Sequence, residues 1–417
     1  MILDIRELAD HLAVSTETLR DYYRATTDGT GGGWYHELGR PPAATATAVA
    51  LACFVDKGDP IDHLDQALRF LRSRQREDGG WATATHGEVP VVEATAWIAW
   101  CLSRARCELT PGAPDLASAA RWLTAHQNPD GGWGSRRGNP SRTWLTCLAL
   151  RALGLLDPHS AAVADGIGWL LDRRLTAGGA RVWGMTEDGG PTLTHTAFAL
   201  LTLAELRPLE TDEHLRAFRW LAERVEANPR DLHRWIETYT AADDGHQWRL
   251  NLWHFGLPIA VSALLHHPEG PPSTLLGRAV ARLLRVPPGT HVWGDETGPP
   301  TRLSLWSLWW SLQALSGVYR FPLFRRDDLV VWVRDAVIIR RGPARRRPLF
   351  TFLPGLWSQG LGLLLARFWA YVTVALLAAV LAAGAIAGLW EWDLFWSGLI
   401  IPVLLIPLQE GIKRRGG

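Results

Sequence analysis

A tryptophan-centred motif repeats along the first three quarters of the chain. DGGW occurs at 78–81 and at 130–133, and GGGW occurs at 31–34. Three looser copies end at Trp183, Trp248 and Trp293. Successive tryptophans of the series are 47, 52, 50, 65 and 45 residues apart. A period of about 50 residues is typical of supersecondary units that stack on their neighbours. The sequence therefore predicts six copies of one such unit.

Each copy contains an amphipathic segment, a glycine turn and a more apolar segment. Residues 67–75 (ALRFLRSRQ) have apolar side chains at helical spacing along one face, and a Gly-Gly turn follows them. Residues 95–102 (TAWIAWCL) are apolar almost all round, as in a buried helix. Six such pairs predict an all-α fold, an (α/α)6 toroid with six inner helices inside six outer ones. We find no alternating pattern that would predict a β-strand within residues 1–317.

The repeated motif resembles that of a known family. RWLTAHQNPDGGWG at 121–134 resembles the Gln–Trp repeat of squalene–hopene cyclases and related triterpene cyclases, and residues 68–81 resemble it equally well. Protein prenyltransferase β-subunits share the same toroid. The resemblance covers roughly residues 16–317 and implies a toroid domain at 1–317. It also implies a structural role for Gln75, Trp81, Gln127, Trp133, Trp183 and Trp293.

One segment matches the catalytic motif of that family in part. Class II cyclases protonate an alkene with a buried aspartate in a DxDDTA motif, and VVEATA at 91–96 is the nearest match. Glu93 lies where the resemblance places the proton donor, but Val91 and Ala94 replace the acidic neighbours. A carboxyl group with an ordinary pKa of about 4.3 is too weak an acid for this step. A glutamate in a first helical turn also complements the helix dipole, which favours a structural role for Glu93 over a catalytic one.

No metal or cofactor is predicted. Protein prenyltransferases hold zinc with Asp, Cys and His, but the histidines of this chain have no ligand spacing. P-loop and dinucleotide-binding motifs are absent from the sequence.

Aromatic side chains recur on the predicted inner helices. In the cyclases, such positions line a cavity for an isoprenoid, so the resemblance implies a binding site for an apolar, isoprenoid-like ligand or a protein. The candidate cavity residues are Trp97, Trp100, Trp144, His195, Trp253, Trp306, Trp309 and Trp310. The alternative, which helical spacing favours, is that the rings fill the centre of the toroid as core.

The C-terminal quarter differs in composition from the rest. The formal net charge of the chain is +1, but residues 318–417 contain 13 Lys and Arg against 6 Asp and Glu. Residues 368–389 are an uncharged, largely apolar run, long enough for a transmembrane helix. A second apolar run covers 394–408. We therefore predict a basic juxtamembrane linker at 318–360 and a two-helix transmembrane region at 361–417.

Basic residues flank both apolar runs, at 340–347 and 413–415. The positive-inside rule then places both flanks, and with them the toroid, in the cytoplasm. Arginine clusters beside an apolar span are suited to anionic lipid headgroups, and the acidic body argues against nucleic acid as a partner. The lipid bilayer is therefore the predicted partner of the tail.

Three functional hypotheses follow. The first is a non-catalytic, membrane-anchored toroid that binds a protein or an apolar ligand and relays this to the tail, a layout shared with stress and defence effectors. The second is a divergent membrane-bound terpene cyclase or prenyltransferase. The third is a membrane-bound regulator, because residues 5–23 resemble the start of a MerR-type helix-turn-helix domain. The same residues also fit the outer helix of the first repeat, which the register favours.

Overall fold

The computed structural model divides the chain into two units. The first contains Met1–Trp332 with Val337–Arg346, and the second contains Val333–Ala336 with Arg347–Gly417. The structure describes residues 2–27, 29–35, 41–57, 59–83, 89–106, 110–207, 209, 211–227, 235–243, 246–254, 256–268, 273–284, 305–320, 324–325, 329–332 and 337–340. All of these belong to the first unit, so the predicted transmembrane region at 361–417 lies outside the described residues.

Twelve helices alternate along the described part of the chain. In chain order they are α1 (Ile5–Asp21), α2 (Ala44–Lys57), α3 (Leu64–Arg74), α4 (Val92–Arg104), α5 (Leu116–Ala125), α6 (Thr143–Leu156), α7 (Ala161–Asp172), α8 (Leu193–Leu206), α9 (Asp212–Ala227), α10 (Gly256–Leu264), α11 (Ser273–Leu283) and α12 (Leu305–Arg320). The even-numbered helices are more apolar and more deeply buried. In α4, every residue from Val92 to Leu102 except Glu93 is buried, whereas α3 buries only Ala67, Leu68, Phe70 and Leu71.

The even-numbered helices form a closed inner ring. They pack in the order α2, α4, α6, α8, α10, α12, and α12 packs against α2. The odd-numbered helices lie against them, for example α5 against α4 and α6, and α1 against α12 and α2. The predicted toroid of six helix pairs is therefore confirmed for the helices. The physical cause is burial, as the sequence predicted. Helices that are apolar on all sides avoid water only inside a ring of amphipathic helices.

The prediction that residues 1–317 contain no strand is wrong. Ten strands occur in the described residues, and the first seven of them lie within 1–317. They are β1 (Ile2–Asp4), β2 (Tyr23–Ala25), β3 (Gly32–Trp34), β4 (Leu175–Ala177), β5 (Ala180–Val182), β6 (Trp235–Asp243), β7 (His246–His254), β8 (Phe324–Arg325), β9 (Leu329–Trp332) and β10 (Val337–Arg340). The antiparallel hairpins β2–β3 and β4–β5 stand between an outer and an inner helix, where the repeats that contain Trp81 and Trp133 have only the glycine turn.

The hairpin β6–β7 explains the longest tryptophan spacing. It pairs Trp235 with His254 and Asp243 with His246, and it connects α9 to α10. These strands are rich in aromatic and β-branched residues and are separated by Asp-Gly, which is a hairpin signal. Trp253, predicted on an inner helix, is therefore a strand residue.

A four-stranded sheet joins the two ends of the first unit. Its order is β1, β10, β9, β8, and β1 runs parallel to β10 with Ile2 opposite Ile338. β8, β9 and β10 lie within the region predicted as a basic linker at 318–360. That region therefore contains regular structure paired with the start of the chain.

The structure of α1 contradicts the helix-turn-helix hypothesis. A helix-turn-helix needs two helices joined by a short turn, whereas α1 is one continuous helix from Ile5 to Asp21. Leu8, Leu12 and Leu19 of α1 are buried in the core of the toroid. The segment is the outer helix of the first repeat, and the helix-turn-helix hypothesis is wrong.

A repeated pair of hydrogen bonds connects each of four motif tryptophans to two helices. The backbone N–H of Trp81 donates to Thr95 Oγ1 of α4 at 2.9 Å, and its indole N–H donates to the Leu71 carbonyl of α3 at 2.9 Å. The same pair occurs at Trp34 with Thr47 and Leu19, at Trp133 with Thr146 and Leu123, and at Trp183 with Thr196 and Leu170. Each tryptophan therefore joins its outer helix to its inner helix. Trp293 lies outside the described residues.

The motif glutamines connect successive repeats. Gln75 Nε2 donates to the Asp115 carbonyl at 2.8 Å, and Gln75 Oε1 accepts from the Asp115 N–H at 2.9 Å, at the start of α5. Gln127 Nε2 contacts the Ala162 carbonyl of α7 at 2.9 Å in the same way. Gly79 is needed in the first of these turns because its φ is +97° and a Cβ there would lie 2.6 Å from the Ser118 backbone.

Candidate functional site

Glu93 lies in the first turn of α4. The N-cap residue of α4, Val91, has no side-chain capping bond, so the Glu93 carboxylate is the acidic group that complements this helix start. The side chain is partly exposed, yet the surrounding protein removes enough water from the carboxyl group to raise the pKa of Glu93 above its ordinary value. Val91 and Ala94, which replace the acidic residues of the cyclase motif, are both fully buried. No charged group among the described residues shifts this pKa.

Six aromatic rings meet in the middle of the inner ring of helices. We call them the aromatic cluster: Trp97, Trp100, Trp144, Phe198, Trp309 and Trp310. The Trp309 centroid lies 4.8 Å from that of Trp97 on α4, and the Trp310 centroid lies 6.3 Å from that of Trp144 on α6. Because α12 and α6 are opposite one another in the ring, the contact between Trp310 and Trp144 crosses its centre. At this level the axis of the toroid is occupied by side chains.

The burial of the aromatic cluster agrees with its contacts. Trp97, Trp100, Trp309 and Trp310 are at most 3% exposed, and Phe198 is fully buried. Edge-to-face geometry dominates, with an interplanar angle of 88° between Trp97 and Trp309, as in packed aromatic cores. Trp144 is the member that keeps partial exposure.

The remaining predicted cavity residues are placed differently. His195 is buried in the first turn of α8, where its Nδ1 lies 2.8 Å from Thr192 Oγ1 and its ring lies 6.4 Å from Trp144. Thr192 is the N-cap of α8. Trp253 belongs to β7, and Trp306 belongs to α12, but their side chains lie outside the described residues.

A polar pocket lies at the C-terminal ends of four inner helices. Its volume is about 210 Å³, and it is lined by Arg104, Leu201, Glu205, Ser262, Leu265, His266, Gln313, Ser316 and Gly317. Glu93 and Arg104 stand at opposite ends of α4, so this pocket is about 16 Å along the helix from the candidate proton donor.

Glu205, one of the lining residues, belongs to a buried ion pair. Arg151 of α6 is 2% exposed, and its Nε and Nη2 donate to the two carboxylate oxygens of Glu205 on α8 at 2.7 and 2.8 Å. Its guanidinium carbon also lies 4.2 Å from the centroid of the Trp100 ring and 5.4 Å from that of Phe198. The ion pair therefore packs directly against the aromatic cluster.

Residues 3–186 match the family described as the prenyltransferase alpha-alpha toroid domain. This part of the chain belongs to the prenyltransferase α/α toroid family. The resemblance predicted from the Gln–Trp repeats is therefore confirmed.

Relatives of this toroid domain include cyclases. A (+)-kolavenyl diphosphate synthase from Herpetosiphon aurantiacus is 28% identical over 190 residues, which cover 43% of this chain and 32% of that enzyme. A squalene–hopene cyclase from Zymomonas mobilis is 24% identical over 205 residues, which cover 42% and 30%. The chain thus spans about a third of the length of the curated relatives it matches.

Solved structures confirm the fold class alone. A glycoside hydrolase family 76 mannosidase from Bacteroides thetaiotaomicron superposes with a TM-score of 0.52 at 10% identity, over 75% of this chain and 98% of that one. At this identity the likeness concerns architecture, because one toroid supports unrelated chemistries.

Two further observations concern the described part of the toroid domain. Within it, no group of three or more His, Cys, Asp or Glu residues is arranged to hold a metal ion. No helix in the same residues is both long enough and apolar enough to cross a bilayer, and the run at 368–389 lies outside them.

Sequence reasoning missed the buried ion pair, although a signal for it was present. Arg151 is the single charged residue of α6 (TWLTCLALRALGLL), and Glu205 is the single charged residue of α8 (LTHTAFALLTLAEL). A charge within a helix that is otherwise apolar needs a partner, because an unpaired buried charge is costly. Two such helices adjacent in a predicted ring would have indicated the pair.

Proposed function

We propose that this toroid acts by binding rather than by catalysis, and that it relays the bound state to a C-terminal membrane segment. The aromatic cluster is the observation that carries the proposal. The resemblance implies a cavity for an isoprenoid among the aromatic side chains of the inner helices, whereas the rings of Trp309 and Trp310 here contact those of Trp97 and Trp144. A filled centre favours a protein partner at the surface over an apolar ligand on the axis.

The environment of Glu93 supports the same proposal. Protonating an alkene requires a strong acid, and neighbouring groups must stabilise the carboxylate that remains. Burial instead raises the pKa of Glu93, which makes it a weaker acid, and its neighbours Val91 and Ala94 are apolar. Glu93 is therefore suited to the helix start and poorly suited to alkene protonation.

The membrane part of the proposal depends on the sequence of residues 368–389 and on its basic flanks. The toroid would lie on the cytoplasmic side. A soluble sensor followed by a transmembrane pair is the layout of stress and defence effectors, and by that analogy the tail would act on the membrane when the toroid binds its partner.

Vesicle flotation of the full chain tests the membrane proposal. We expect the protein to float with vesicles of phosphatidylglycerol and phosphatidylethanolamine and to resist extraction by high salt. Leu377→Arg with Leu381→Arg places two charges in the predicted span and should abolish salt-resistant flotation, because a charge at the bilayer centre is costly. Leu155→Arg, at an exposed leucine of α6, is the matched control and should float normally. Equal flotation of both variants would overturn the predicted span.

The alternative function is a divergent class II cyclase with Glu93 as the acid. One observation favours it: with its raised pKa, Glu93 holds a proton to higher pH than an ordinary glutamate. The assay is incubation of the detergent-solubilised full chain with squalene or geranylgeranyl diphosphate, followed by mass spectrometry of the products. We expect no cyclised product. A product that disappears in Glu93→Gln but persists in the exposed control Glu77→Gln would refute the binding proposal.

A further inference from the structure

The hairpin formed by β6 and β7 is much longer than the other strand pairs of the described residues. Each of its strands has nine residues, and the register from Trp235–His254 to Asp243–His246 is unbroken. Neither strand pairs with any other strand that the structure describes. A two-stranded hairpin on its own is marginally stable in water, so a further strand along one of its edges would stabilise it.

The outer edge of β7 presents the backbone groups of alternate residues. Only two residues separate Asp243 from His246, so these two form the first hydrogen-bonded pair of the hairpin. From His246 onward, every second residue of β7 therefore bonds to β6. The backbone N–H and C=O groups of the residues between them point away from β6, and these residues are Gln247, Arg249, Asn251 and Trp253. A further strand can bond to this row of donors and acceptors.

The composition of β7 permits such pairing. Residues 235–254 contain no proline and no lysine, and the ladder has no bulge, although these are the usual features that protect an edge strand. β7 has no acidic residue, whereas β6 contains Glu237 and Asp243. Pairing two β6 edges would bring the carboxylates of both copies into adjoining strands, which is unfavourable. The β7 edge is therefore the better surface for self-association.

The backbone of β7 is self-complementary when two copies run antiparallel. Leu250 is the midpoint of the strand, so a two-fold axis at Leu250 lets all nine residues overlap. Arg249 of one copy is then opposite Asn251 of the second copy. Gln247 is likewise opposite Trp253. All four are residues whose backbone groups point outward, so each opposed pair can exchange two hydrogen bonds.

The same register also matches residue types across the two copies. Trp248 is opposite Leu252, and Leu250 is opposite its own copy, so apolar residues meet on one face of the sheet. Moving the axis by one residue, to Arg249, would place two arginines directly opposite one another, which is unfavourable. The register centred on Leu250 therefore combines the longest overlap with compatible charges.

The attached toroids favour a closed dimer over an open series of copies. The base of each hairpin joins α9 and α10. In an antiparallel pair of β7 strands the two bases lie at opposite ends of the sheet, about 30 Å apart for nine residues. Pairing β6 of one copy with β7 of the next would place all bases at the same end, at intervals of about 10 Å. A domain of about 300 residues is roughly 50 Å across, so successive toroids would collide.

We propose that two copies of this chain associate through their β7 edges and form a four-stranded antiparallel sheet in the order β6, β7, β7, β6. The interface is isologous, with its two-fold axis at Leu250, and therefore closes at a dimer. The proposal rests on the hairpin alone and is independent of the function proposed above.

Disulfide cross-linking of the full chain in mild detergent tests the proposal. Leu250 and its copy form a non-hydrogen-bonded antiparallel pair, in which the Cα atoms are about 4.5 Å apart, a distance that a disulfide can span. Leu250→Cys should therefore form an intermolecular disulfide under mild oxidation. The background is Cys107→Ser, because the cysteines of the described residues are buried. Tyr239→Cys, opposite Leu250 on β6, is the control and should cross-link at least tenfold more slowly. No intermolecular disulfide in Leu250→Cys, or equal rates in the two variants, would overturn the proposal.

Proline substitutions distinguish the β7 edge from association through another part of the chain. Asn251→Pro, added to the Leu250→Cys chain, removes an outward N–H of β7 and no hydrogen bond within the hairpin, and it should slow cross-linking at least tenfold. Thr238→Pro is the matched control, because Thr238 is opposite Asn251 and its N–H points outward from β6. It should leave the rate of cross-linking unchanged. Equal rates in the two proline variants would refute the assignment to the β7 edge.

Discussion

Removing Glu205 alone should destabilise the toroid far more than removing both members of the Arg151–Glu205 pair. The Arg151 side chain is 1% exposed, while that of Glu205 is 28% exposed. Glu205→Met leaves a buried guanidinium without its carboxylate, and breaking a buried pair in this way costs about 3–5 kcal/mol. Because Glu205 retains some contact with solvent, the lower end of that range, about 3 kcal/mol, applies.

The other two variants complete a double-mutant cycle. Arg151→Met leaves Glu205 unpaired but partly hydrated, so the expected cost is about 1–2 kcal/mol. The double variant replaces the pair with apolar side chains against Trp100 and Phe198, and buried pairs replaced in this way cost about 0–1 kcal/mol. The coupling energy between the two positions is then about 4 kcal/mol.

Urea unfolding of the four proteins measures these free energies, and calorimetry provides a second readout. With an unfolding entropy near 2.1 cal/mol/K per residue, a domain of about 300 residues should lose about 5 °C in Tm for about 3 kcal/mol. The exposed pair Arg278–Glu226 is the control, and its coupling should stay below about 1 kcal/mol. A coupling energy for Arg151–Glu205 as small as that of the control would show that the pair is solvated, contrary to the reasoning.

Three further predictions concern the scaffold and the candidate site. Trp310→Ala should lower the free energy of unfolding by about 3–5 kcal/mol, because it leaves a void in the aromatic cluster; a loss near 1 kcal/mol would indicate a ring that lines an open cavity. Thr95→Val removes the acceptor of the buried Trp81 N–H and should cost about 1–3 kcal/mol, whereas Thr95→Ser should cost about 1 kcal/mol and Thr18→Val, at a partly exposed position of α1, under about 0.5 kcal/mol. Equal values for Thr95→Val and Thr18→Val would contradict this role. The folded-state pKa of Glu93 lies above its ordinary value of 4.5, so ionisation of Glu93 disfavours folding increasingly as the pH rises above 4.5. The stability of Glu93→Gln relative to the unchanged protein should therefore be higher at pH 7 than at pH 4. Urea unfolding that shows no such trend would refute the raised pKa.

The sequence predicted the scaffold well for a local reason. The glycine turns and the two kinds of helix are determined by residues close together in the chain, so they can be recognised without a structure. The prediction of secondary structure failed where the local pattern was ambiguous. The strands β6 and β7 were not predicted, although Asp-Gly between aromatic and β-branched residues indicated a hairpin.

The candidate site was less predictable than the scaffold. Glu93 was placed correctly at the start of an inner helix, because the match to VVEATA is local. Whether the inner tryptophans line a cavity or contact one another could not be decided from helical spacing. Rings on α4, α6 and α12 meet only because the inner ring closes, and that closure depends on helices far apart in the chain.

By itself, the sequence determined that six helix pairs repeat, which helix of each pair is buried, and where the catalytic acids of the cyclase motif are missing. Only the tertiary structure decided that the centre is filled and that Arg151 meets Glu205, 54 residues away. The physical reason is the range of the interactions. Periodicity and turns are encoded by neighbouring residues, whereas the packing of rings across an axis and the pairing of buried charges depend on which helices become neighbours.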